Sequence, residues 1–400
     1  MNLLRAGVTA SVCFGVILAT ATGAAAAHVR TLYSFGADNG GRVPEAAPIF
    51  GDGGNLYGTT SESGQSGTCG TVYRLAPDGT ETQLHIFNCS EPGDPVAPLI
   101  SDRNGNLFGT TYSGIFLSGG IFEIASDGSY SLLYQFSGEN GDGANPGGAL
   151  LERNGQFYGT TNYGGGAPNA GIVFRMAKGG TPVPIYTFSG GSDGANSNAT
   201  LIADRKGNLY GTTQRGGSTG CSSSYGPGCG VVFRLSPKGK ETVLHTFMGG
   251  VDGIWPQSGV VADADGNLYG TTWEGGSTLY TYGCGTVYRI TPESEESVLH
   301  AFRCGKDGSA PYASLLVDAK GNVYGTATHG GNENACAGGC GTVFKITPDG
   351  RFSVLLAFVR GKDGSGAYSS LIEDRKGRLY GTTLYGGEYD YGVVFRLTQP

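Results

Sequence analysis

One short phrase, an aromatic followed by Gly, Thr and usually a second Thr, is written seven times between residues 50 and 390. The copies are Tyr57-Gly58-Thr59-Thr60, Phe108-Gly109-Thr110-Thr111, Tyr158-Gly159-Thr160-Thr161, Tyr210-Gly211-Thr212-Thr213, Tyr269-Gly270-Thr271-Thr272, Tyr324-Gly325-Thr326-Ala327 and Tyr380-Gly381-Thr382-Thr383. Their glycines stand 50 to 59 residues apart. Self-similarity at such a period marks a repeat architecture. A chain of 400 residues would otherwise suggest two or three unrelated domains; the repeat argues for one assembly of similar units. Glycine and proline together make 91 of the 400 residues. Without a period, that level reads as disorder. Here the glycines keep register with apolar runs and read as turn and close-packing positions.

Each unit divides into four strand-like pieces. In the fourth, Ala199-Thr200-Leu201-Ile202 is followed by the turn Asp204 to Asn208 and then by Leu209-Tyr210-Gly211-Thr212-Thr213. A long loop leads to Gly230-Val231-Val232-Phe233-Arg234-Leu235, and Pro237-Lys238-Gly239 turns the chain into Thr242 to Phe247. β-Branched and aromatic runs bounded by Gly, Asn, Asp and Pro are strand and hairpin signals, and no stretch after the leader shows a helical period. Four antiparallel strands per unit is the pattern of a β-propeller blade. Six units are complete, from near Ala47 to Phe358; the seventh stops after Val393 to Leu397. Residues 32 to 35, Leu-Tyr-Ser-Phe, match the fourth strands Leu84 to Phe87, Leu133 to Phe136 and Leu299 to Phe302. The expected fold is therefore all-β: a seven-bladed propeller of four-stranded antiparallel blades, its ring closed by an N-terminal strand that completes the last blade. The glycine of each second strand is expected to let neighbouring backbone approach near the axis, and the aromatic before it to pack between blades.

Residues 1 to 27 read as a signal peptide. Arg5 supplies the positive end, residues 6 to 20 are mostly apolar, and Ala24 to Ala27 offer a small-residue cleavage site before His28. Residues 28 to 400 then form the single propeller domain. Loss of Arg5 takes the net charge from −7 to −8. No basic run or stripe is present, which argues against nucleic acid and anionic membranes as partners, and nothing after residue 28 is apolar enough to span a membrane. A secreted or extracellular monomer is expected, with the periplasm as the other compartment open to an exported chain.

Eight of the nine cysteines survive removal of the leader. Cys69, Cys229, Cys284 and Cys340 share one repeat position before the third strand, and Cys89 and Cys304 share another after the fourth. Third and fourth strands are hairpin neighbours, so the expected disulfides are Cys69–Cys89 and Cys284–Cys304. Blades four and six carry Cys221 and Cys336 in the preceding loop instead, giving Cys221–Cys229 and Cys336–Cys340. A thiolate metal site would want a CxxC pair, which is absent.

These residues resemble those of the choice-of-anchor tandem-repeat GloVer (Gloeo/Verruco repeat) family of exported bacterial proteins. Units of that family read much like Gly207-Asn208-Leu209-Tyr210-Gly211-Thr212-Thr213, then a loop, then Gly341-Thr342-Val343-Phe344-Lys345-Ile346-Thr347-Pro348. The resemblance covers essentially the whole mature chain. It implies a secreted or surface-attached propeller and carries no shared activity. Members often end in an anchoring tail; with Pro400 last, this chain is expected to be released.

The short turns fall on one face and the long, variable loops on the other, where binding usually resides. Three features of that face are candidates. Asp142, Asp193, Asp252, Asp307 and Asp363 recur before Gly in the blade-to-blade loops; a ring of carboxylates would suit Ca²⁺, while the plainer reading is an Asp that caps a tight turn. Trp255, Trp273, Tyr280, Tyr282 and Tyr312 gather in the sector of blade five, where flat aromatics would stack on sugars or anchor a protein surface. Glu274 and His329 occupy equivalent positions on adjacent blades and are the residues on which acid–base cleavage of a polysaccharide would rest. His85, His245 and His300 share one strand position and read as structural. The expected function is a binding or interaction module for glycan or a protein surface; the alternatives are a polysaccharide-cleaving enzyme, lyase or hydrolase, and a structural extracellular protein. No resident cofactor is indicated other than the Ca²⁺ reading.

Overall fold

In the computed structural model, which describes residues 27–36, 41–63, 67–113, 118–139, 141–223, 226–276 and 283–399, every copy of the repeated phrase lies in the second strand of a four-stranded antiparallel sheet. There are seven such sheets. Blade one runs Ile49–Phe50, Leu56–Thr60, Thr68–Leu75 and Glu81–Asn88, and blades two to six repeat this order. Blade seven takes Ile372–Glu373, Leu379–Thr383 and Val393–Thr398 from the C-terminus and His28–Ser34 from the N-terminus. His28 pairs with Thr398, Arg30 with Arg396 and Ser34 with Val393, so the ring closes through the expected strand. The expected leader lies outside the described residues, apart from Ala27. Among the described residues no helix is long and apolar enough to cross a membrane.

The physical content of the phrase is visible in the register. Gly58, Gly109, Gly159, Gly211, Gly270, Gly325 and Gly381 each pair with the aromatic of the third strand: Tyr73, Phe122, Phe174, Phe233, Tyr288, Phe344 and Phe395. A Cβ on Gly58 would stand 2.4 Å from the Tyr73 hydroxyl oxygen, and one on Gly270 2.3 Å from that of Tyr288. The missing side chain therefore makes room for an aromatic ring rather than for the neighbouring backbone expected from the sequence. Backbone crowding is found one strand further in, where a Cβ on Gly148 would meet the Ala199 carbonyl oxygen at 2.5 Å.

The same seven rings join the blades. The phenylalanine that ends each fourth strand meets the third-strand aromatic of the next blade: Phe35 with Tyr73, Phe87 with Phe122, Phe136 with Phe174, Phe188 with Phe233, Phe247 with Tyr288, Phe302 with Phe344 and Phe358 with Phe395. Centroids lie 5.1 to 5.5 Å apart in steeply inclined geometry. Such pairs contribute about 0.5–1.5 kcal/mol each beyond the area they bury. The aromatic before each glycine also packs across the gap, as Tyr380 does on Phe50 with centroids 5.3 Å apart. The core is thus a ring of buried seams between blades rather than one central mass.

Threonine completes the seam. The first Thr of each phrase donates its hydroxyl to the main chain entering the next blade's first strand. The acceptors are Ala97, Gly148, Ala199, Ser258, Ala313 and Ser369, and for Thr382 both Pro44 and Ala46. The second Thr of blades one, three, four, five and seven bonds within its own loop, as Thr213 does to the Arg215 carbonyl at 2.9 Å. The four disulfides are Cys69–Cys89, Cys221–Cys229, Cys284–Cys304 and Cys336–Cys340.

Candidate functional site: the axial cavity

Entry into each blade passes through one left-handed residue. These are Val43, Asp94, Asn145, Asn196, Trp255, Ala310 and Gly366, with φ between 53° and 68°. Five are followed by proline, at Pro44, Pro95, Pro146, Pro256 and Pro311. The fixed φ of proline and the left-handed turn before it direct the next side chain at the axis. That position is Glu45, Val96, Gly147, Asn198, Gln257, Tyr312 and Tyr368, and all seven line a cavity of about 570 Å³ enclosed by the innermost strands. The volume falls within the range of small-molecule sites. Because strands one and two are antiparallel, the end where the first strand begins is the end where the Gly-Thr-Thr strand stops. The cavity mouth therefore shares a face with the long loops.

The wall is uneven by chemistry. Tyr312 and Tyr368 stack with centroids 3.9 Å apart and planes 24° from parallel. Tyr112 also lines the cavity, its hydroxyl accepting from Asn162 Nδ2 at 2.9 Å. Gln214 Nε2 donates to Gln257 Oε1 at 2.6 Å. Burial raises the phenols of Tyr112, Tyr312 and Tyr368 above the usual tyrosine value, so each keeps its proton and remains a donor. Among the described residues lining the cavity, Glu45 is the one carboxylate. Burial pushes its carboxyl up, a Ser61 hydrogen bond pulls it down, and the charges of Asp94 and Glu62 push it up further. No Lys, Arg or His is among the described residues lining the cavity. Below the mouth the wall turns apolar, through Leu99, Ile100, Ile202 and Val261.

Of the aromatics singled out by sequence, Tyr312 lines this cavity. Trp255 and Trp273 stack on each other, centroids 5.7 Å apart and planes 12° from parallel. Trp255 is only 4% exposed, so its ring is not open to a ligand. Tyr280 and Tyr282 lie outside the described residues. Glu274 and His329 hold equivalent positions on blades five and six, pairing with Ile254 and Ser309 respectively. Burial raises the Glu274 carboxyl, and no hydrogen bond or ion pair joins it to His329 among the described residues. Neither lines the cavity.

The recurring aspartates stand at the outer edge of the blades, beside the fourth strands. Asp142 accepts from the Tyr134 hydroxyl and the Ser137 main chain, each at 2.9 Å, and Asp193 does the same with Tyr186 and Ser189. Asp252 accepts from His245 at 2.9 Å and Asp307 from His300 at 3.1 Å. In these four the carboxylate caps the turn and fastens it to the strand. Asp363 sits in the short 3₁₀ turn Gly361–Asp363.

Sequence reasoning missed Glu45, Tyr112, Asn198, Gln257 and Tyr368. For Glu45 and Gln257 the signal was the residue after the loop proline, a place that repeats in position while its identity varies; Asn198 and Tyr368 hold the same repeat position after Ser197 and Ala367, and Tyr112 follows the Gly-Thr-Thr of blade two.

Comparison with known proteins agrees with the fold. A model of the Gloeobacter/Verrucomicrobia repeat matches residues 11–167, 118–337 and 221–400. No curated protein matches the chain. Among solved structures, the extracellular domain of a one-component system from B. thetaiotaomicron superposes with a TM-score of 0.56 at 9% identity, over 92% of this chain and 39% of that one. A gluconolactonase from Xanthomonas campestris gives 0.45 at 16% identity, over 94% and 90%. PorZ, a surface component of the type-IX secretion system of Porphyromonas gingivalis, gives 0.49 at 18% identity, over 90% and 48%. At 9% identity the likeness to the first of these is one of fold alone.

Proposed function

The chain belongs to the Gloeobacter/Verrucomicrobia repeat family, and from that premise we propose that it is a secreted binding module that takes the end of a neutral or amine-bearing glycan in its axial cavity. The observation that carries the reading is the make-up of the cavity wall. Stacked Tyr312 and Tyr368 present the flat apolar surface a sugar ring prefers, and Asn198, Gln257 and the phenols present donors and acceptors at the same mouth. Glu45, with no base among the described residues of the wall to offset it, disfavours uronates and sulfated sugars and favours hydroxyls or an ammonium. Trp273, half-buried beside Trp255, extends the aromatic surface on the loop face. The leader-like N-terminus and four disulfides support an exported protein.

Cleavage of a polysaccharide would rest on Glu274 and His329 acting together, and it lacks the carboxylate pairing and cavity placement that such chemistry uses. The test is affinity electrophoresis through gels containing different polysaccharides, followed by sizing of the glycan. We expect retardation by neutral or amino-sugar polymers, none by uronate-rich polymers, and loss of retardation in Tyr368→Ala. Shortened glycan would overturn the binding role in favour of an enzyme. Absence of retardation on every glycan would overturn it in favour of a protein partner or a structural role.

A further inference from the structure

At the outer rim, each blade-to-blade gap is built from the same three positions. One is a fourth-strand residue, an aromatic or histidine except for Leu356 in blade six, the second is the acidic residue of the loop that follows, and the third is the first or second residue of the next blade's fourth strand. Between blades three and four the positions hold Tyr186, Asp193 and Glu241. Between blades five and six they hold His300, Asp307 and Phe352, with histidine and phenyl stacked 3.6 Å apart. Between blades one and two they hold His85, Glu91 and Tyr130. Among the described residues, the gap between blades four and five alone places a metal-ligand residue at all three: His245, Asp252 and Glu296.

There the three donor atoms lie within 4.8 Å of one another. His245 Nε2 is 2.9 Å from Asp252 Oδ1, and the other Asp252 oxygen accepts the Met248 N–H at 2.7 Å, which fixes the carboxylate. Glu296 Oε1 is buried without a hydrogen-bond partner. A buried carboxylate oxygen with no donor, facing a second carboxylate, is costly unless a cation satisfies it. Among the described residues the charges that act on Glu296 are those of Asp252 and His245, and no lysine or arginine takes that role.

We propose that His245, Asp252 and Glu296 form a site for a single zinc-like divalent ion that bridges blades four and five. One imidazole nitrogen and two carboxylates, with a fourth position open to water, suit Zn²⁺ better than Ca²⁺, which takes six to eight oxygens. The neutral histidine turns the Nε2 lone pair to the ion, and both carboxylates bind ionised. Exposed Met248 and Val251 on the adjoining loop leave the rim accessible to solvent.

The test is calorimetric titration of the chelator-treated protein with Zn²⁺ and, separately, Ca²⁺, with thermal unfolding in each state. We expect one Zn²⁺ per chain, a higher Tm with Zn²⁺, and no comparable response to Ca²⁺. His245→Tyr copies the arrangement already present at Tyr186, and Glu296→Gln keeps the shape of the side chain. Each should weaken Zn²⁺ by at least about tenfold, while His300→Tyr leaves it unchanged. Without metal, Glu296→Gln should unfold at a higher temperature than the parent, and with Zn²⁺ at a lower one. No saturable zinc binding, equal binding by both variants, or a preference for Ca²⁺ would overturn the site.

Discussion

Thr160 shows what one hydroxyl contributes to this fold. It is fully buried, and its Oγ1 lies 2.9 Å from the Ala199 carbonyl of the next blade. Valine has nearly the same shape but leaves that acceptor without its donor, so the cost is that of a lost buried hydrogen bond. Thr160→Val is expected to destabilise the protein by about 1–3 kcal/mol, measured by urea unfolding, with the same change at the exposed Thr219 as a neutral control. The sequence shows that Thr recurs at this place, yet it does not show why, because the partner lies about 40 residues away on another unit. The glycine beside it was misread for a related reason. Its neighbour is a ring on the third strand, and a one-dimensional pattern does not reveal which strand face that ring covers.

Among whole elements, the fourth strands carry the titratable groups of the outer rim. Glu241 begins the fourth strand of blade four and meets Tyr186 and Asp193 of blade three. Burial and the Asp193 charge push its carboxyl up to about 7. In the unfolded chain a glutamate titrates near about 4.3. A group with its folded-state value raised contributes its full stability below the unfolded value and loses it as pH rises through the folded one. Glu241→Gln is therefore expected to raise Tm at about pH 8 and to leave it nearly unchanged at about pH 4, checked by thermal unfolding across that range. The aspartates of the first hairpins behave oppositely. In Asp204, burial is outweighed by bonds from Asn208 and Tyr210, which hold the carboxyl below its usual value. Disulfide pairing was legible at this scale, since the repeat places Cys69 beside Cys89 and Cys284 beside Cys304 in one hairpin. The axial wall was not, because the pattern draws attention to residues that stay the same from unit to unit, whereas Glu45, Gln257 and Tyr368 differ.

For the molecule as a whole, blade number and ring closure followed from counting strands: three at one end of the chain and one at the other. Removal of residues 28 to 36 is expected to abolish cooperative unfolding and to leave a molecule that aggregates, judged by circular dichroism and light scattering. That deletion exposes the edge of Val393–Thr398 and removes Phe35 from its contact with Tyr73. Loss of only one blade's worth of Tm, with a sharp transition retained, would show that the ring tolerates an open seam.

Closure also sets a waiting time. Among the described strands His28–Ser34 is the first to be synthesised, and it pairs with Val393–Thr398, the last of them. At typical elongation rates of about 5–20 residues per second, the earliest strand stays without its partner for roughly 20–70 s. Six blades have time to assemble in that interval, while the strand that closes the ring remains unpaired. The protein is therefore most vulnerable to aggregation and proteolysis until the six residues of Val393–Thr398 are available to pair, and its first strand must stay sheltered until then.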